Sequence, residues 1–409
     1  EQDETHSQSI RSAMWITAAL SGLLSAFSII IFREPLSLFL FNSESYSGYF
    51  FALAAGVFAF TLSMILMDTF NAFRKVEIFV QANIISSLIA AIAAITAIYY
   101  LREQGIIFFV ISVPVTTLIV AALFTPAIKG KTSTFSLTDT RIILAFGVPI
   151  MFSTIVPPIT QIMVRWYLNN QMDIISVGYY QAAWNISTLY MGFLMRSLLA
   201  DYFPSLSGKT KDHSVFNRTV NEQVTSIFFF AIPVVLIMIL LAKPILFLLY
   251  SNSFGLSVNV LKLHLYGDLL KLPGWALGFA MLALGRNRDY LFIAIIEHAI
   301  YFACIVVGLE RFGLSSTGYS AIMSKAILFI VYFMYLRRST GFIWSTQNYR
   351  LMSLVAVIGI SLMTLSMFDG LIFLMLQYAI VTVFCAYAFS VIWKHFKTKK
   401  TLINRRSKD

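Results

Sequence analysis

Five ionisable side chains, Arg196, Asp268, Lys271, Glu297 and Lys325, fall inside stretches otherwise apolar enough to cross a bilayer. A charge at the middle of a membrane helix costs about 2.5–3.5 kcal/mol on insertion scales, so such groups turn towards one another or towards enclosed water. All five lie between residues 196 and 325, and the chemistry open to them is anion recognition and ion coupling. His264, Asp268 and Lys271 fall at i, i+4 and i+7 and so share one helix face. Asp268 and Lys271 either pair within that helix, or Lys271 meets an anionic substrate while Asp268 takes a coupling proton. Glu297 and Lys325 each lie roughly 10–12 Å from their nearer membrane face, counting about 1.5 Å per residue. They are placed to meet across adjacent helices near the midplane, as a structural ion pair or as a coupling site.

Gln181, Asn185, Thr188, Gly192 and Arg196 follow one another at steps of four, three, four and four. That spacing holds them within an arc of roughly 80° and makes one helix face polar from end to end. Trp184 stands beside this face, either to stack on a sugar ring or to anchor the helix at headgroup level. Arg196, about one turn from the cytoplasmic end, either snorkels to the interface or faces a cavity. Pro149, Pro157 and Pro158 interrupt the preceding helix, and Gln161 and Arg165 follow at i, i+4. Arg165 sits near the outer interface as an anchor or a substrate contact. The candidate substrate-binding residues are Arg165, Gln181, Trp184, Asn185, Arg196, Lys271 and Lys325, and the ion-coupling candidates are Asp268 and Glu297. Four basic groups against two carboxylates suit an anionic cargo, and Arg or Lys holds pyrophosphate oxygens well.

The elements that position these groups follow from composition. Charged residues are 12% of the 409 and hydrophobic ones 58%, where a soluble domain carries about 25% charged. About 20 apolar residues span ~30 Å of hydrocarbon, and twelve candidate helices meet that need. They centre on 13–31, 50–67, 84–99, 106–123, 142–164, 177–199, 224–241, 265–284, 291–308, 318–335, 351–368 and 371–393. The chain is therefore expected to be an all-α polytopic membrane protein.

Alternate connectors, starting from the N-terminus, hold most of the chain's 30 lysines and arginines. Cytoplasmic loops retain such residues, which places both termini in the cytoplasm. The basic tail, from Lys394 to Lys408, then lies beside anionic headgroups rather than nucleic acid. The connectors on the other side are short, which argues against a membrane enzyme with a site-bearing external loop. No CxxC, Gly-rich phosphate loop, GxSxG or HExxH is present. Cys304 and Cys385 read as small buried hydrophobes inside helices, and His264 and His298 as solitary, so neither a metal nor a cofactor is expected. Residue 1 is Glu, and EQDETHSQSIR reads as a polar approach to a helix, as if the chain began inside a longer protein.

Two polar, basic connectors divide the chain. The expected organisation is an incomplete four-helix bundle over 1–128, a cytoplasmic linker over 129–141 and a six-helix bundle over 142–338. An additional helix pair over 339–393 and a basic tail over 394–409 complete it. With two further helices upstream the pattern becomes two equal bundles and an appended pair, as in transporters built from repeated halves.

The stretches VGYYQAAWNIS (Val177 to Ser187), GDLLK (Gly267 to Lys271) continuing as LPGWALGF, and IVYF (Ile330 to Phe333) resemble Wzx-type flippases of lipid-linked oligosaccharides. Within that group the resemblance is nearest to members serving enterobacterial common antigen. It runs from the first residues to about Arg338 and is most specific over Phe146 to Ala283. It implies two six-helix bundles around a central cavity, in the superfamily that also holds lipid II flippases and multidrug exporters. The implied activity is translocation, not enzymatic catalysis: undecaprenyl-pyrophosphate-linked oligosaccharide crosses the bacterial inner membrane by alternating access, with H⁺ or Na⁺ as the coupling ion. The implied products are O-antigen or related polysaccharides, and the implied partners are membrane lipids, a glycan polymerase and its chain-length regulator. Two departures stand out: the first two family helices are missing, and the pair 351–393 is added. The alternatives are a cation-coupled multidrug exporter of the same superfamily, and a membrane glycan polymerase or ligase.

Overall fold

The computed structural model describes residues 2–41, 43–72, 75–125, 137–368 and 370–406. Among them no strand occurs. The helices are α1 (Gln2–Ile31), α2 (Arg33–Phe41), α3 (Tyr49–Ala72), α4 (Val76–Leu101), α5 (Gly105–Phe124), α6 (Leu137–Gln171) and α7 (Ile174–Ser207). Beyond these come α8 (His213–Leu240), α9 (Ala242–Leu249), α10 (Ser257–Ala283), α11 (Asn287–Phe312), α12 (Ser316–Thr340), α13 (Thr346–Leu365) and α14 (Leu371–Arg406). Each of the twelve expected spans falls on one long helix, apart from a few terminal residues. The short α2 and α9, which hydropathy does not single out, lie in connectors. Eight stretches qualify as membrane spans by length and composition, with Asn287–Thr340 containing both α11 and α12. The polar-bearing α6, α7 and α10 are not among them. Large side chains such as Leu189, Phe193, Leu248 and Val307 are exposed along the helices, as lipid-facing residues are in a multi-pass membrane protein.

Two compact units are present, Glu1–Gly147 and Val148–Asp409. In the first, α3 packs on α1 and α5, and α4 on α5, around a small core that includes Leu66, Phe70 and Val120. Of the expected linker, 137–141 are the first residues of α6 and the rest lie outside the described residues. In the second unit α10 is central, touching α7, α8, α11 and α12, while α13 and α14 pack on α8. α6 runs as one helix through Pro149, Pro157 and Pro158. A proline removes one backbone bond and bends a helix, and the turns on either side continue.

Glycine brings α10 and α12 together. A Cβ at Gly318 would stand 2.3 Å from the Leu263 Cβ, and one at Gly267 would stand 3.2 Å from the Ala321 backbone. Small residues at such crossings let membrane helices approach closely. The start of α7 is fixed by Asp173, whose carboxylate accepts the Ser176 amide at 2.6 Å. That bond holds the exposed carboxyl below the usual carboxylate range.

Candidate functional site

The candidate residues meet where α7, α10, α11 and α12 converge inside the second unit. Asp268 on α10 is buried. Its Oδ2 accepts two hydroxyls from α7, the Ser187 Oγ at 2.8 Å and the Tyr190 hydroxyl at 2.6 Å. Lys325 of α12 donates to Glu297 Oε1 of α11. The His298 Nδ1 stands 3.8 Å from the other oxygen of that carboxylate. A buried ion pair persists only where good geometry offsets the loss of water, and this one draws together two adjacent helices.

Lys271 is different. Among the described residues its ammonium makes no ion pair and no hydrogen bond, although Asp268 lies three residues earlier on the same helix. It lines a cavity of about 30 Å³ together with Trp184, Asp268, Glu297, His298 and Lys325. That volume is about the share of one water molecule in the liquid. Above it Tyr180 donates to the Gln161 Oε1 at 2.6 Å and lies 3.2 Å from the Tyr301 hydroxyl. His264 packs against Tyr180 and edge-on to Trp184, and its buried Nε2 has no hydrogen-bond partner among the described residues.

Five candidates from the sequence, Trp184, Asp268, Lys271, Glu297 and Lys325, line this one cavity. Arg165, Gln181 and Asn185 do not. Gln181 donates to Asn185 Oδ1 at 2.6 Å, and Asn185 donates to the Tyr250 hydroxyl at 3.4 Å. Gln181 and Asn185 bond to each other and to Tyr250 rather than to the buried charges, the buried Gln181 Oε1 has no hydrogen-bond partner among the described residues, and Thr188 of the same polar stripe does line the cavity. Arg165 is half-buried, with its Nε unpartnered among the described residues. The side chain of Arg196 lies outside the described residues. His264 and His298 are not solitary, since both line the cavity. Even so, no group of three or more His, Cys, Asp or Glu among the described residues is arranged to share a metal ion.

Tyr180, Ser187, Tyr190 and Tyr301 were not among the candidates. The first two carried a usable signal: Tyr180, Trp184 and Ser187 fall at i, i+4 and i+7, the same spacing as His264, Asp268 and Lys271. The two triplets face each other across the α7–α10 contact.

A putative O-antigen transporter of Shigella flexneri is 26% identical over 237 residues, which are 58% of this chain and 56% of that protein. A lipid III flippase of Escherichia coli (strain K12) is 23% identical over 288 residues, covering 66% of this chain and 65% of that one. The chain thus spans under two thirds of the length of these curated relatives. A solved structure described as "Lipid II flippase MurJ, inward closed conformation" matches with a TM-score of 0.66 at 16% identity, covering 95% of this chain and 84% of the other. A multidrug/oligosaccharidyl-lipid/polysaccharide (MOP) superfamily transporter from Pyrococcus furiosus matches with a TM-score of 0.68 at 15% identity, covering 83% and 80%. At such identities the likeness is one of fold: an all-α fold shared with these membrane transporters. The resemblance to Wzx-type flippases read from the sequence is supported by relatives and fold alike. Residues 1–259 match the profile of a family described as Polysaccharide biosynthesis protein, and with more than half of its length matched the chain belongs to that family.

Proposed function

We propose that the protein is a flippase moving undecaprenyl-pyrophosphate-linked oligosaccharide from the cytoplasmic to the periplasmic leaflet of the bacterial inner membrane. One observation carries the reading: Lys271 is enclosed at the meeting of four helices, yet no carboxylate pairs with it among the described residues. A cation in such a site with no carboxylate in direct contact is costly, and it is retained where an anion arrives during the cycle. Pyrophosphate oxygens are such an anion. The similarity to an O-antigen transporter and a lipid III flippase supports a lipid-linked glycan as its bearer.

The cavity of about 30 Å³ is far too small for that headgroup, so α7 and α10 must part before Lys271 meets it. This is the local form of alternating access. We assign ion coupling to Glu297, because its partners Lys325 and His298 are nitrogen bases. Such a set suits a proton, whereas Na⁺ wants a shell of oxygens. Both termini are assigned to the cytoplasm, where the basic tail meets anionic lipid. A glycan polymerase and its chain-length regulator are the protein partners this reading calls for.

The test is surface glycan export by the full-length protein in cells lacking their own flippase. Lys271→Gln is expected to lower export at least tenfold, a loss of about 1.4 kcal/mol of binding or more, while Lys271→Arg retains most of it. Normal export by Lys271→Gln overturns the anion-recognition role.

A further inference from the structure

Side chains three residues apart on a helix are neighbours, about 5–6 Å apart at Cβ, and opposite charges there attract. Inside a protein that attraction is stronger than at a wet surface. Asp268 would therefore neutralise Lys271 unless its carboxylate were engaged elsewhere, and it is. Ser187 and Tyr190 both donate to the same oxygen, at 2.8 Å and 2.6 Å. Hydroxyl bonds to an ionised carboxylate are short and strong. Both donors belong to α7, so they hold one carboxylate oxygen across the helix contact, and among the described residues the carboxylate makes no direct ion pair with Lys271. Among the described residues neither hydroxyl has another hydrogen-bond partner.

We infer that Ser187 and Tyr190 are positioning residues whose hydroxyls hold the Asp268 carboxylate against α7 and so keep the Lys271 ammonium free for the anionic headgroup of the cargo. The inference rests on the anion-binding role proposed for Lys271. Such a role differs from a plain structural contact between α7 and α10 in the effect of losing the hydroxyls. Without them a buried carboxylate is left unsatisfied, and the nearest remedy is the ammonium three residues on. Lys271 is then captured, and the site is blocked by its own neighbour.

The double substitution Ser187→Ala with Tyr190→Phe removes two oxygens and little volume. In the full-length protein, expressed in flippase-deficient cells, it is expected to lower surface glycan export at least tenfold at unchanged membrane protein level. Adding Asp268→Asn is expected to restore most of that export, because a neutral amide does not capture Lys271. A double variant that exports like the parent overturns the inference. So does a double variant that fails and stays inactive with Asp268→Asn, the outcome of a purely structural contact or of an essential Asp268 charge. Should the double variant not accumulate, Tyr190→Phe alone, with and without Asp268→Asn, gives the same contrast. Lys271→Gln separates the two levels of the reading: if it exports normally, the anion-binding role fails whatever the hydroxyl variants do.

Discussion

Asp268 and Lys271 share a helix face without pairing, while Glu297 and Lys325, on different helices, do pair. Each carboxylate has gone to the donors that packing places before it, and sequence proximity has not decided the outcome. The meeting of Glu297 with Lys325 was legible from depth alone, since both residues fall near mid-membrane on consecutive helices. The engagement of Asp268 was not, because it depends on how α7 is rotated against α10. The stripe through Gln181 and Asn185 looked the more polar face, yet it reaches the cavity through Thr188, beside Trp184 and Ser187 from the face one step round. Breaking a buried pair by removing one partner costs about 3–5 kcal/mol. Glu297→Gln and Lys325→Met are therefore each expected to lower the melting temperature in detergent. The exchanged pair, Glu297→Lys with Lys325→Glu, is expected to regain stability and still fail to couple export to a proton gradient. Export by the exchanged pair at the parental rate would sink the coupling role of Glu297.

At the scale of the element, α10 concentrates what the fold has to arrange. It contacts five helices of its unit, α7, α8, α9, α11 and α12, and carries Asp268 and Lys271. Its existence was legible from apolar length, and its charged face from i, i+4, i+7 spacing. Its closeness to α12 was not, because an isolated glycine such as Gly267 or Gly318 reads in sequence only as a weak point in a helix. The crossing gives those glycines their meaning. Gly318→Ala is expected to destabilise the protein by about 1–3 kcal/mol through overpacking, seen as a lower melting temperature. Leu263→Ala should not relieve it, since the atom in the way is the Leu263 Cβ itself. Leu263→Gly should. The prolines of α6 teach the converse. The helix continues through all three, because the backbone bonds on either side outlast each missing one.

At the scale of the molecule, hydropathy and the alternation of basic connectors set out a polytopic chain, and the eight apolar stretches bear out its class. Charge alternation also underlies the orientation we propose. Arg286, Arg288, Arg337 and Arg338 fall at the connectors assigned to the cytoplasm. A fluorescent-protein fusion at the C-terminus is expected to fluoresce, and an alkaline phosphatase fusion there to be inactive; the opposite pattern would reverse the assigned orientation. The glycine-lined crossing has a mechanical consequence at this scale. Because glycines let the two backbones approach closely, α10 and α12 are read as one solid piece on which Asp268, Lys271 and Lys325 ride together. The yielding surface is then the seam with α7, stitched by two hydroxyls on one carboxylate. Water reaching that seam can replace both stitches in kind, so the joint opens without leaving either side unsatisfied and reseals by the same exchange.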